Sequence, residues 1–326
     1  MMKKLLMGCL VMAFCAIGCA KTEQKSGNET TEQSAAGNVA ADEGVMEGSD
    51  VPPVFTLCVK GLPLFAPFNE GDLLNEGKAL RETPAKYTKL IIGESVFDVS
   101  YKEEKNKQLE HDDSYMNQYV YKTKDEMKGQ LYTYADAKAL EKYMQTHGDT
   151  SAEGELYPME YTYGILVSAD YLKDRSVMKS FATTTEDPTE PQFSTSVIAK
   201  VEKMVGAKVE SNRIAQVIGN DEYNFGVMKT KPNDEFALAV WVLAKGDEVC
   251  IHTDTCMVEG GEVMWSNYDP EEYMEPGILA VVKGKNGLDI YCSHASTDET
   301  VNYMLMRQEG TRMRKYDMGG FYQMYE

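Results

Sequence analysis

Two short stretches gather the side chains best suited to binding metal and moving protons: Cys250-Ile251-His252 and Cys292-Ser293-His294. Side chains alternate faces along an extended strand, so each cysteine shares a face with its histidine at a Cα separation of ~6.6 Å. On neighbouring strands, Cys250, His252, Cys292 and His294 can converge on Zn²⁺, which accepts such a set at ~2.0–2.3 Å per ligand. Asp254 adds a carboxylate two residues beyond His252, giving the elements of a metal-assisted hydrolase. Cysteine has a competing use outside the cytoplasm, where Cys58, Cys250, Cys256 and Cys292 allow three disulfide pairings. Were Cys250 to Cys256 one extended strand, its ends would lie ~20 Å apart, beyond the ~7 Å that a bridge spans. Disulfides or buried thiols are the commoner fate of cysteines in that setting.

The remaining candidates are weaker. The GxSxG, HExxH, GxxxxGK[ST], GxGxxG and DxDxDG patterns are absent, which lowers the expectation of the common hydrolase, kinase and dehydrogenase classes. No catalytic residue and no organic cofactor is assigned. The acidic run Asp269, Glu271, Glu272, Glu275 reads as a solvated loop. Trp241 and Trp265 have the ring faces of a sugar platform, but Trp241 falls in an apolar strand and reads as core. Arg312, Arg314 and Lys315 form a basic island of the kind that guards an exposed strand edge.

These residues need a scaffold. Val209 to Ile218, Tyr223 to Thr230, Glu235 to Ala244 and Val249 to Cys256 are strand-length runs with connections short enough for hairpins only, which predicts an antiparallel meander. Gly277 to Lys283 and Leu288 to His294 flank Asn286-Gly287, a strong hairpin signal. Val197, Ile198, Val201, Met204 and Val205 make a helical stripe, with Ser194 to Ser196 able to cap it and Gly206 able to stop it. A second helix is expected from Asp136 to His147 and a third from the capping box Ser296-Thr297-Asp298-Glu299, with Val301, Met304 and Leu305 inward. Further upstream, Val54 to Lys60, Thr88 to Ile92, Val96 to Tyr101, Tyr115 to Lys122 and Tyr161 to Val167 read as strands, and Gly61 to Lys86 as irregular. The expected fold class is α+β, an antiparallel meander sheet packed with helices and preceded by a disordered tether. Residues 51–150 are expected to form an N-terminal α+β region and 151–326 a C-terminal α+β domain, with Gly148 to Gly154 as either the boundary or a loop within one large domain.

Lys3 and Lys4, the apolar run Leu5 to Ile17, and Ala16-Ile17-Gly18-Cys19 have the three parts of an export signal. The block resembles the signal peptide of bacterial lipoproteins. The resemblance covers residues 1–18 and implies cleavage before Cys19, acylation of that cysteine with palmitate-type chains, and a place in the cell envelope. Ala20 in the following position favours the outer membrane. Residues 19–50 are small and polar and read as the lipidated cysteine and a flexible linker. With 33 Lys+Arg against 52 Asp+Glu and a net charge of −19, the chain repels nucleic acid. The functional expectation is a lipid-anchored, non-catalytic binding or interaction module. Its partners would be the membrane, through the anchor, and an envelope protein or glycan. The alternative is an envelope hydrolase or metal-binding enzyme that uses the two Cys-x-His pairs.

Overall fold

The computed structural model describes residues 51–68, 76–107, 127–150, 156–159, 161–183, 191–265, 273–295 and 300–322. The leader, Cys19, the linker to residue 50 and the strand expected at Tyr115 to Lys122 lie outside them. All described residues belong to one compact unit, Glu43–Glu326.

The expected α+β class is corrected. Strands dominate and curl into two barrel-like sheets, with the helices as plugs and covers. The first barrel uses β1 (Val54–Val59), β2 (Leu64–Pro67), β3 (Tyr87–Ile92), β4 (Ser95–Lys107) and β5 (Met127–Tyr134). A short ribbon of β6 (Asp149–Thr150) and β7 (Leu156–Tyr157) follows in the chain, then β8 (Tyr161–Ser168). The order β1-β2-β5-β4-β3-β8 closes on itself, and every junction is antiparallel. Its sixth strand therefore comes from beyond Gly148 to Gly154. Inward-facing Leu64, Leu90, Tyr132 and Leu166 fill the interior. Space there is tight enough that a Cβ on Gly164 would sit 2.7 Å from Leu90 Cδ1. The stretch expected to be irregular instead supplies β2 and the helix α1 (Glu76–Glu82). Leu80 O accepts from Gln130 Nε2 at 3.4 Å, and Pro84 O accepts from the Tyr132 hydroxyl at 3.0 Å, so this segment is tied to β5. Helix α2 (Ala137–Thr146) follows the expected pattern: the Asp136 carboxylate caps Ala139 N–H at 3.0 Å, and Leu140 and Met144 face the core.

A four-residue helix, α3 (Ala169–Leu172), leads to β9 (Ser176–Met178) and β10 (Ser180–Ala182). Helix α4 (Thr195–Val205) runs from the Ser194 cap to left-handed Gly206, as the stripe predicts. The meander is β11 (Val209–Ile218), β12 (Tyr223–Thr230), β13 (Phe236–Lys245) and β14 (Glu248–Glu259), extended by β15 (Glu262–Val263). Then come β16 (Gly277–Gly284), β17 (Gly287–Ala295), β18 (Thr300–Glu309) and β19 (Arg312–Tyr322). The order is β10-β11-β12-β13-β14-β19-β18-β17-β16-β9. Its end strands β9 and β10 are chain neighbours separated only by Lys179, so the sheet curls almost into a ring.

β18 occupies the place of the third expected helix. Tyr303 and Leu305 pack between the two barrels, while Met304 and Met306 pack inside the second. A strand buried on both faces is apolar throughout and mimics a helical stripe. Outside the second sheet, Val197 and Val201 of α4 cover Met228, Val240 and Val242. On its opposite side Phe55, Ile91 and Ile165 of the first barrel pack on Ala280, Tyr291 and Tyr303, and Phe55 stacks on Tyr303 with ring centroids 4.1 Å apart. At about 1.5–3 kcal/mol per large buried apolar side chain, these layers dominate the stability.

Candidate functional site

Strand alternation sends Cys250, His252, Asp254 and Cys256 of β14 to one face, opposite Leu243, Trp241, Ala239 and Ala237 of β13. On β17 the same rule groups Cys292 with His294. Fully buried Trp241 forms the floor of a polar cluster. His252 and His294 both present edge-on to it, with ring centroids 5.7 and 5.6 Å away. Tyr273, from the segment preceding β16, completes the group.

The hydrogen bonds of this cluster converge on Asp254. Trp241 Nε1 donates to the Tyr273 hydroxyl at 2.5 Å, which donates to Asp254 Oδ2 at 2.5 Å. His252 Nε2 lies 3.2 Å from Asp254 Oδ1 and donates to it, since a carboxylate only accepts. His294 Nε2 lies 2.7 Å from Met274 O and therefore carries a proton, leaving Nδ1 as the acceptor of the neutral ring. Burial opposes charge on Asp254, but the hydrogen bonds from His252 and Tyr273 and the attraction of His252 and Lys315 outweigh it and hold the carboxyl at about 2. Burial and the Asp254 charge push the Tyr273 phenol far up. Burial lowers the His294 imidazole. The cluster is thus an ionised carboxylate held by two donors beside a neutral imidazole. His252 and Asp254 keep 22% and 27% of their side chains exposed, so it opens to solvent.

The structure brings the two histidines to one ring but does not assemble the expected zinc set. β19 and β18 stand between β14 and β17 in the sheet, and Cys250 and Cys292 are spent in the barrel's apolar interior. Among the described residues no three His, Cys, Asp or Glu side chains are grouped to hold a metal. Cys58, Cys250, Cys256 and Cys292 are all buried free thiols. β14 is extended from end to end, so Cys250 and Cys256 lie too far apart to bridge. Cys58 sits in the first barrel, on β1. Burial pushes both the Cys58 and Cys250 thiols up to about 12, far from thiolate chemistry at neutral pH.

Trp265, near the opening through the contact of Cys256 Sγ with its carbonyl at 3.9 Å, lies under the Lys229 ammonium, 4.9 Å from the ring centroid. Glu275, the described member of the acidic run, pairs with Arg213 at 3.1 Å.

A second cluster escaped the sequence reading. Asp289, 5% exposed, accepts from Arg307 Nε at 2.7 Å and Nη2 at 2.8 Å. It also accepts from the Tyr171 hydroxyl at 2.7 Å, and that hydroxyl meets the Tyr291 hydroxyl at 2.7 Å. Arg175 lies over the Tyr171 ring at 4.5 Å. Tyr171 follows the first barrel on α3, whereas Asp289, Tyr291 and Arg307 belong to the second sheet, so the cluster locks the two together. Its one sequence signal was an aspartate in the apolar run Leu288-Asp289-Ile290-Tyr291.

Comparison with family models, curated proteins and solved structures gives no match.

Proposed function

We propose that this chain is a lipid-anchored cell-envelope protein, held through acyl groups on Cys19, whose two-barrel body binds a protein or glycan partner. The observation that supports binding is the opening beside Trp241. Its polar atoms are fixed in advance by the Trp241–Tyr273–Asp254–His252 chain, and its rim remains open to solvent. A preorganised polar rim over an aromatic floor suits recognition because little ordering entropy is lost on binding. The thiols are poor nucleophiles by virtue of burial, and Tyr273 is a poor acid, which fits a binding role better than turnover. The His252–Asp254 dyad supports the second reading, a hydrolase in which Asp254 orients His252 as a base.

Two measurements test this. Membrane fractionation with mass spectrometry of the N-terminus should find acylated Cys19, and Cys19→Ala should release the body from the membrane. The mature body, screened against a glycan panel and an envelope pull-down, should retain a ligand that His252→Ala loses by tenfold or more. Ester or peptide turnover that His252→Ala and Asp254→Asn both abolish would instead establish the hydrolase.

A further inference from the structure

Alternation divides the basic island of β19 between the two faces of the sheet. Met313 lies inside the second sheet, and Lys315, two residues on, shares its face. Across the ladder Lys315 stands opposite Met306, which is interior as well. Arg314 takes the other face, 5.2 Å from the Tyr316 ring centroid. Lys315 therefore joins the polar cluster beside Trp241 from β19, and its charge acts on both Asp254 and His294. Hydrogen-bonding capacity in the cluster follows from the bonds already made. Asp254 Oδ1 accepts from His252 and Oδ2 from Tyr273, and each carboxylate oxygen has a second lone pair for one more donor. His294 spends its Nε2 proton on Met274 O and presents Nδ1 as an acceptor. Lys315 brings N–H donors and no acceptor.

We propose that the opening takes a neutral sugar through two adjacent hydroxyl groups, which donate to Asp254 and His294 and accept from Lys315. This rests on the reading of the opening as a binding site and adds the chemical class of the ligand. A hydroxyl both donates and accepts, so one group satisfies a carboxylate and an ammonium together. Ligands that carry a charge of either sign fare worse. A cationic group meets Lys315 and an anionic group meets Asp254, in each case a like charge in a site that is about three-quarters withdrawn from solvent at Asp254. Because His252 and Tyr273 hold Asp254 before any ligand arrives, the carboxylate needs no further ordering on binding. Trp241 is fully buried and offers no face for stacking, so the sugar is held by hydrogen bonds. Three or four such bonds correspond to a dissociation constant of about 1 mM for a single sugar unit.

The test titrates the mature protein with the methyl glycosides of glucose, galactose and mannose, with methyl glucuronide as the acidic probe and methyl glucosaminide as the basic one. NMR follows the Trp241 Nε1–H and the His294 ring. At least one neutral glycoside should shift both resonances saturably and bind about tenfold more tightly than either charged probe. Lys315→Met should raise binding of the glucosaminide, and Asp254→Asn that of the glucuronide, each about tenfold relative to the neutral sugar. The native protein's discrimination decides the matter even where a variant fails to fold. A charged glycoside that binds as well as the neutral ones, or a panel that shifts neither resonance, overturns the proposal. If an envelope protein shifts them instead and His252→Ala abolishes that shift, the binding reading stands and the sugar does not. If neither sugar nor protein acts there, both fall.

Discussion

Arg307→Met leaves the Asp289 carboxylate buried, with Arg175 at 4.0 Å and the Tyr171 hydroxyl still donating to it. Two charge-assisted bonds, at 2.7 and 2.8 Å, disappear together. Removing one partner of a buried pair typically costs about 3–5 kcal/mol, chiefly because the other charge stays desolvated. The lower figure corresponds to a fall in Tm of roughly 6–12 °C for a body of this size. The pair's position between the barrels adds a second readout: loss of the lock should raise amide exchange in α3 and at β9 before global unfolding. Asp289→Leu combined with Arg307→Met removes both charges and leaves the Tyr171 and Tyr291 hydroxyls bonded to each other. That double variant should recover most of the loss, with a coupling of about 2 kcal/mol or more in the thermodynamic cycle. Chemical denaturation of the four proteins supplies the numbers. A single-variant cost under about 1 kcal/mol, or strict additivity, would refute the view that a desolvated charge pair joins the barrels.

Acid should act in two stages. His294 has its pKa lowered by burial, so its contribution is complete above its ordinary value of 6.5 and drains away as pH falls below it; His294→Gln should flatten that limb of the stability curve. Asp254, held at about 2 against an ordinary 3.8, contributes fully above about pH 4 and loses its contribution as pH falls toward 2, a limb that Asp254→Asn should remove. Iodoacetamide at pH 8 should leave Cys58, Cys250, Cys256 and Cys292 unmodified in the native body and label all four after unfolding. Rapid native labelling of Cys250 would contradict its burial and raised pKa.

Local chemistry announced what it controls. The Ser194 cap and Gly206 stop bracket α4, and the short polar connections of the meander left no alternative to antiparallel hairpins. The class was misread where both faces of a strand are covered. In β18 the run Tyr303-Met304-Leu305-Met306 feeds two cores alternately, and the loss of polar alternation erased the period-two signal. The opening was half legible: strand alternation correctly grouped each cysteine with its histidine, but the order of β19 and β18 between β14 and β17 was not inferable from spacing. Tyr273 and Tyr171 gave no warning, because a tyrosine acquires its partner only through contacts distant in the chain, 118 residues away for Tyr171 and Asp289.

The ribbon of β9 and β10 bears on how the molecule is made. Val177 must find Val282, and Phe181 must find Val217, so one short piece of backbone clasps strands from opposite ends of the sheet. During synthesis this clasp emerges before either of its partners, and its second join waits for roughly a hundred further residues to be added. Long-range joins of that kind are slow to form. The earliest strand of the sheet to leave the ribosome therefore waits for β16, and until then both rims of the nascent sheet stay available to chaperones and to neighbouring chains.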